Sequence, residues 1–424
     1  MAVRFVRRRA GDRLGCINVQ PRQLRLPIYG THQRKPDSRE ASTVMDTMSW
    51  LRVLGPALMG FIAWHGLFWA IPLSILMPCF AASHRTRFGA AAASFGYYAA
   101  ASYPVVAVAR EYWPSIGART FGLWLIAAVL LSMPWAICWT GRSALRPWTT
   151  TGAMILSVLP PLCIVGWASP LVSAGVLFPK AGWLGVIATL AVPGLLLARR
   201  TRVAAVLAAG MAALFLNAHA RPISPPKTWE AEMTHIHRAR VANDLEEFSI
   251  EDHLQRVAVS SKRSVLVFPE GSVRRWTDAT DAFWTAALGG SHKILVIGAV
   301  QPIDGSANYN NSVVILRDLE RDTVHQRIPV PGGMWNPLVP KSFALNLFNP
   351  GIAHIGGERA AILICYEQLL AWPMLRSAVE SPTQLIAISN EVWTAGTVVP
   401  AVQHACARAW ARLFGLPLIS ATNS

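Results

Sequence analysis

Acidic residues are almost missing from the first half of this sequence. Between Met48 and Trp229 the only carboxylate is Glu111, whereas Asp and Glu recur from Glu230 onward. A soluble domain of that length needs a mixed-charge surface, so residues 48–220 read as membrane-inserted rather than water-exposed. The low charge of the whole chain, 15% of residues, and its mean hydropathy of +0.34 agree. Two regions in two solvents are implied.

Cysteine is scarce as well. The six cysteines (Cys16, Cys79, Cys138, Cys163, Cys365 and Cys406) form no CxxC pair and no metal-ligand spacing, so no disulfide framework, metal or cofactor is expected. Cys79, Cys138 and Cys163 lie in apolar runs, where cysteine acts as a small hydrophobe. His235 and His237 are two apart, which on a helix puts them on different faces. The run "HQRIPVPGG" (325–333) lacks the spacing of a phosphate loop.

A net charge of +16 raises the question of nucleic acid. Much of the excess lies before Met48, in Arg4, Arg7, Arg8, Arg9, Arg13 and further Arg and Lys residues up to Arg39, against few acids. Most of the remainder punctuates the apolar stretches, where the positive-inside effect accounts for it, so no specific nucleic-acid partner is expected. Residues 1–47 read as a basic, disordered cytoplasmic extension. They have no apolar core or cleavage site of a signal peptide.

What is there in abundance is hydrocarbon. Uncharged stretches run 53–83, 88–109, 120–141, 147–179, 181–198 and 203–220. At about 20 residues per helical crossing they make a transmembrane bundle of six to seven helices over 48–220. The first stretch accommodates one tilted crossing or a short hairpin turning near His65-Gly66. Loop charge favours the hairpin and seven crossings: Arg85, Arg87, Arg142, Arg146, Arg199, Arg200 and Arg202 then lie inside, and only Arg110, Arg119 and Lys180 outside. Everything after about Ala220 is thereby outside, which in a Gram-negative inner membrane is the periplasm.

Residues 221–229, "RPISPPKTW", read as a linker because three prolines deny them helix or central strand. Residues 230–424 have the pattern of a soluble α/β domain. "SVLVFPEG" (264–271), "KILVIGAV" (293–300), "NSVVILRD" (311–318), "AAILICYE" (360–367) and "TQLIAISN" (383–390) read as buried strands. Helical patterns appear in "TWEAEMTHIHRARVANDLEEF" (228–248) and "PAVQHACARAWARLFG" (400–415).

Two of these strands end in chemistry. "FPEG" brings Glu270 and "ICYE" brings Cys365 and Glu367 to strand ends, where open α/β layers place their sites. A cysteine at a strand-to-helix turn gains thiolate stabilisation from free backbone amides, and a nearby carboxylate can accept its proton. Alone, each motif also fits a buried core cysteine and a solvated turn.

The ordered set "FPEG", "YNNSVVIL" (309–316), "LICYEQL" (363–369), "ISNEVW" (388–393) and "QHACARAWA" (403–411) resembles the carbon-nitrogen hydrolase (nitrilase) superfamily over about 190 residues. Within it the arrangement is similar to the apolipoprotein N-acyltransferases, which also set a membrane bundle before a nitrilase domain; "PLVSAGVLFPKAGWLGV" (170–186) looks like their mid-bundle segment. Length and arrangement are most similar to a family of conjugal transfer proteins from rhizobial and agrobacterial plasmids.

The resemblance implies an αββα sandwich and a Glu-Lys-Cys triad, with Glu270 as general base, Cys365 as thioester-forming nucleophile and Glu367 as a supporting carboxylate near the cysteine. At the family lysine's place stands Gln326 or Arg327, depending on a one-residue shift. Arg327 is the candidate oxyanion group, as a planar fork in place of a point ammonium. Met334 occupies the position of the acyltransferases' second glutamate, Lys341 lies past the motif, and the acyltransferases' closing membrane helix has no counterpart after "LISATNS", which leaves a tether on the N-terminal side alone. The implied activity is acyl transfer or amide hydrolysis, with a membrane lipid or lipoprotein as substrate and conjugal transfer apparatus proteins as partners. A true apolipoprotein N-acyltransferase, and a non-catalytic membrane scaffold on a degenerate nitrilase fold, are the alternatives.

Overall fold

Arginine opens four of the N-terminal helices, at Arg87, Arg119, Arg146 and Arg202, and glycine or proline marks some of the breaks between them. The computed structural model describes residues 54–112, 119–198, 202–237, 243–318 and 320–424; the expected extension over 1–47 lies outside them. Helix α1 (Leu54–Ala63) ends in a turn with Gly66 at φ +88°. The chain returns as a 3-10 segment, Phe68–Ile75, running into α2 (Leu76–Ser83). Gly55 of α1 faces the Phe80 ring of α2, so the two segments form a hairpin.

Helices α3 (Arg87–Tyr112) and α4 (Arg119–Ile137) follow. The uncharged stretch 147–179 is not one helix. Helix α5 (Arg146–Val158) stops before Pro160 and Pro161, which lack the N–H a helix needs. Short 3-10 turns follow, then the five-residue α6 (Ser173–Leu177). Val172, Ser173 and Ala174 have no exposed surface, so this segment is packed inside the protein. Helices α7 (Gly182–Leu197) and α8 (Arg202–His219) complete the region. Among the described residues, α4 and α8 are long and apolar enough to cross a membrane; α1, the Phe68–Ser83 segment and α7 are apolar but shorter.

The C-terminal half is built on two sheets. The first has the order β1-β2-β3-β4-β5: β1 (Trp229–Ala231), β2 (Val265–Val267) and β3 (Ile294–Pro302) are parallel, and β4 (Tyr309–Arg317) and β5 (Glu320–His325) continue antiparallel. The second has β6 (Ile352–Ile355) antiparallel to β7 (Glu358–Ile364), which is parallel to β8 (Gln384–Asn390) and then β9 (Leu418–Asn423). Val267, Val296 and Ile315 of one sheet share a core with Ile362, Ile386 and Ile419 of the other. Helices α9 (Asp244–Ser260) and α10 (Asp278–Leu288) cover the outside of the first sheet. Helices α11 (Ala371–Ala378) and α12 (Val399–Phe414) cover the second. The result is the expected α-β-β-α layering.

The outer face of α12 is also covered. Ala405, Ala409 and Trp410 belong to the same core as Trp64, Tyr97 and Val172 from the N-terminal helices. Contact is close enough that a Cβ on Gly175 would overlap the Ala409 carbonyl. The α/β layers and the apolar helices therefore share one hydrophobic core.

One helical expectation fails. Residues 229–231 of the run 228–248 pair with β2, and Thr234 bonds to Thr422 at the end of β9. The helix starts only at Asp244, where Asn243 accepts a hydrogen bond from the Glu246 N–H and acids fill the first turn. Backbone pairing with two strands outweighs the weak periodicity of the run.

Candidate active site

Glu270 and Cys365, the expected base and nucleophile, lie at the ends of two short, buried strands. Strand β2 stops at Val267; Phe268 still donates to Val296, but Pro269 has no N–H to continue the ladder. The turn that follows carries Glu270 and lies directly on β3. A Cβ on Gly298 would overlap the Pro269 carbonyl, which is why β3 needs glycine there.

Strand β7 ends at Ile364, and Cys365 has φ +49°, a left-handed conformation that non-glycine residues seldom hold. Such a residue stores roughly 1–3 kcal/mol of strain, which the surroundings must hold in place. Here Glu367 does so, its carboxylate accepting the Ile364 N–H at 3.0 Å and closing the turn. The next element is a 3-10 turn of five residues, Cys365–Leu369, so only local amides, not a long helix dipole, act on the sulfur.

Glu270 is 7% exposed and Cys365 2%. One Glu270 oxygen accepts from the Asn311 amide at 2.6 Å and the other from the Asn390 backbone N–H at 2.9 Å. Burial raises the Glu270 carboxyl above its ordinary value; hydrogen bonds from Cys365, Asn311 and Asn390 partly oppose this, and the Glu367 charge adds to it. The Cys365 thiol is pushed well up by burial, then by the charge and hydrogen bond of Glu270, against backbone N–H groups of Asn390 and Tyr366. Among the described residues, no lysine or arginine is among the main causes of either shift. Both shifts favour the proton-bearing forms of this buried thiol–carboxyl pair.

Gln326 and Arg327 resolve the place of the lysine. Gln326 accepts from Asn311 Nδ2 at 2.9 Å and donates to the Ile364 carbonyl at 2.9 Å, immediately before Cys365. It thus links Glu270 to the residue before Cys365 through one buried chain, Glu270–Asn311–Gln326–Ile364. Arg327 is 1% exposed and fully committed elsewhere. Its Nε and Nη2 grip the two Glu367 oxygens at 3.1 and 3.0 Å. Nη1 donates to Ser377 Oγ and the Pro373 carbonyl, and Nη2 to the Ile362 carbonyl. All five guanidinium N–H groups are used.

The expected oxyanion role of Arg327 is therefore corrected, since no donor remains for a reacting oxygen. Its pair with Glu367 instead braces the cysteine turn. Lys341 is likewise no substitute, its Nζ lying 5.3 Å over the Tyr309 ring.

Sequence reasoning did not foresee an apolar cavity that reaches Tyr366, the residue after Cys365. Helices α3 and α4, together with Trp167, the loop 330–333, Tyr366 and Trp393, line an open cavity of about 200 Å³. Its lining is almost wholly apolar. A second, small cavity of about 30 Å³ shares Trp167, Val330, Tyr366 and Trp393 and is also lined by Val399 and Gln403 of α12. Trp167 Nε1 and Gln403 Nε2 are buried there without a hydrogen-bond partner. No sequence signal marks these positions, since the contributing segments are up to 300 residues apart and each reads as ordinary core.

No family model matches the chain. It is 32% identical over 389 residues to a "Probable conjugal transfer protein TraB" of Sinorhizobium fredii (strain NBRC 101917 / NGR234), covering 88% of this chain and 98% of that protein. It is 30% identical over 392 residues to the conjugal transfer protein TraB of Agrobacterium fabrum (strain C58 / ATCC 33970), covering 88% and 92%. An apolipoprotein N-acyltransferase of Rhizobium meliloti (strain 1021) is 28% identical over 235 residues, 48% of this chain and 44% of that enzyme. Among solved structures, a carbon-nitrogen hydrolase from Helicobacter pylori G27 covers 45% of this chain and 72% of its own, with 15% identity and a TM-score of 0.35, too low to carry an argument.

Proposed function

Because the chain belongs to the TraB family of conjugal transfer proteins, we propose that it aids plasmid conjugation as a membrane-anchored acyl-transfer enzyme with a Cys365 thioester, acting on a lipid or lipoprotein. The observation that carries this reading is the apolar cavity lined by Tyr366, next in the chain to Cys365, and by Trp393. Its apolar lining suits an acyl chain, and amide hydrolysis of a small polar substrate would not call for it.

In the proposed reaction, Glu270 takes the thiol proton as Cys365 Sγ attacks an acyl carbonyl. The tetrahedral oxyanion collapses, the alcohol or amine leaves with the proton from Glu270, and a thioester remains. An acceptor amine or water then attacks, Glu270 takes its proton, and the departing cysteine sulfur recovers it. Met334 and Gln326 in place of acid and lysine make the oxyanion less well stabilised than by a cation; one lost donor costs about 10²–10³ in rate. A slow enzyme is the consequence.

What favours a second reading, a non-catalytic scaffold of the transfer apparatus, is the neutral Gln326 amide, rather than a cation, between Asn311 and the Ile364 carbonyl. The discriminating experiment is conjugation with Cys365→Ala at wild-type protein level, alongside labelling by a thiol-reactive acyl probe. Lost transfer and lost labelling support the enzyme, whereas unchanged transfer supports the scaffold. Rescue of a strain depleted of its apolipoprotein N-acyltransferase is the test of the third reading, that this is such an enzyme.

The proposed location is the inner membrane, multi-pass, with the α/β layers on the periplasmic side. Helices α4 and α8 support it by length and hydropathy. So does the surface of α8, where no residue is buried and Leu207, Leu214 and Phe215 are exposed.

A further inference from the structure

Four cations converge on one cavity whose lining includes neither Glu270 nor Cys365. Lys180 in the turn before α7, Arg221 just after α8, and Arg408 and Arg412 on α12 line a space of about 310 Å³, and no carboxylate lines it. Among the described residues no ion pair joins any of the four to an acid. The hydrogen bonds of the Arg412 side chain go to neutral groups, Asn217 Oδ1 at 2.6 Å and the Gly175 carbonyl at 3.4 Å.

Arg408 and Arg412 stand one turn apart, a spacing at which like charges repel. Burial and the Arg408 charge both lower the Arg412 value. Their guanidinium groups lie over the Phe68 ring at 4.5 and 5.5 Å. Ring faces relieve part of the repulsion but bring no net negative charge. Cations near the end of α12 also answer its own dipole. That accounts for Arg412 and not for Lys180 and Arg221, which other segments deliver. The Lys180 N–H bonds to the Arg412 carbonyl at 2.7 Å, which holds the turn against the helix end.

The setting indicates what relieves this charge. The cavity lies where α8 ends, directly beyond the exposed Leu214 and Phe215, with exposed Trp69 beside Arg412 and exposed Trp183 against Phe414. Tryptophan between an apolar surface and a cationic one is the pattern of a membrane–water interface. A ligand that fits both sides carries a phosphate head and acyl tails. Arg412 is nine residues beyond Gln403, the α12 residue of the cavity near Cys365; at 1.5 Å per residue that is roughly 13 Å along the helix.

We propose that the Lys180–Arg221–Arg408–Arg412 cavity binds the phosphate of an anionic phospholipid, at a site separate from the catalytic one. The lipid source rests on the membrane reading above; the anion cradle does not. The site anchors the junction between α8 and α12 and so fixes the α/β layers against the bilayer.

The test uses the full chain in nanodiscs of phosphatidylcholine alone or mixed with phosphatidylglycerol, reading thermal midpoint and lipid retained in native mass spectrometry. Wild type is expected to be stabilised by phosphatidylglycerol and to retain it. Lys180→Gln/Arg221→Gln, which alters exposed side chains, and Arg408→Gln/Arg412→Gln are each expected to weaken retention about 30-fold, from two lost cations near a surface. Equal midpoints in both discs, or full retention by Lys180→Gln/Arg221→Gln, overturns the proposal. If inorganic phosphate reproduces the stabilisation in phosphatidylcholine discs, the cradle stands and the lipid source is overturned. Alkaline carbonate extraction separates the premises: release from membranes removes the membrane reading, while resistance to extraction without a phosphatidylglycerol preference removes this site alone.

Discussion

Gln326 and Arg327 are adjacent in sequence and opposite in environment. Gln326 continues the ladder, its N–H bonded to Asn311, and directs its amide to the catalytic chain. Arg327 faces the other way, as successive residues of extended chain do, and meets Glu367. Removing one member of a buried ion pair strands the other, at about 3–5 kcal/mol. Arg327→Ala should therefore lower the thermal midpoint sharply, with Arg327→Lys intermediate, and the loss should appear as unfolding rather than as a rate defect in folded protein. Gly351 supports the same brace: it has φ +64°, and a Cβ there would overlap the guanidinium. For Gln326→Lys the expectation is chemical. Glu270 must be ionised to act, and its raised value places the acid limb of Cys365 labelling above the ordinary 4.5. A lysine beside it favours the carboxylate, so that limb should move to lower pH; a limb that stays in place rejects Gln326 as the lysine's replacement. The sequence could name both candidates for the lysine's place but not choose, because a one-residue shift exchanges the two faces.

At the scale of elements, α12 is the piece on which both halves depend. It packs on the second sheet by one face and on α6 by another, and Gly175 makes the second contact possible. Gly175→Ala should force α6 off α12 at about 1–3 kcal/mol, measurable as a lower midpoint with Cys365 still present to label. A polar clamp also ties α12 to the loop after β8, where His404 Nε2 meets Glu391 Oε1 at 2.6 Å. The hydrogen bond and charge of Glu391 raise the imidazole above its ordinary 6.5 despite partial burial. A raised folded value means the clamp contributes fully below 6.5 and is lost as pH rises through the folded value. The stability gap between wild type and His404→Ala should thus be largest just below 6.5 and close on the alkaline side, as seen in pH-resolved thermal unfolding. Most strands on this scaffold were legible from β-branched runs, and α12 from its period. Strands β1, β6 and β9 were not, being short and specified by their neighbours, and β5 was hidden by the charges of "ERDTVH".

For the whole molecule, the sequence alone determined that the chain has two regions of contrasting composition. A single carboxylate stands between Met48 and Trp229, whereas acids recur from Glu230 onward, and that contrast is what supports the proposed membrane location. It also determined the order of the motifs around Glu270 and Cys365, since strand ends and turns are written locally in Val, Ile, Pro and Gly. If the proposed enzyme is right, Cys365→Ala should reduce conjugation by orders of magnitude while the protein stays in the carbonate-resistant membrane fraction. Only the tertiary structure decided that residues 147–179 are broken and buried rather than one helix, that Arg327 is a brace, and that an apolar cavity from α3 and α4 ends beside Tyr366. The physical reason is range. Composition and periodicity report what each segment will tolerate, but a cavity or a buried ion pair exists only once residues forty or three hundred apart are packed together.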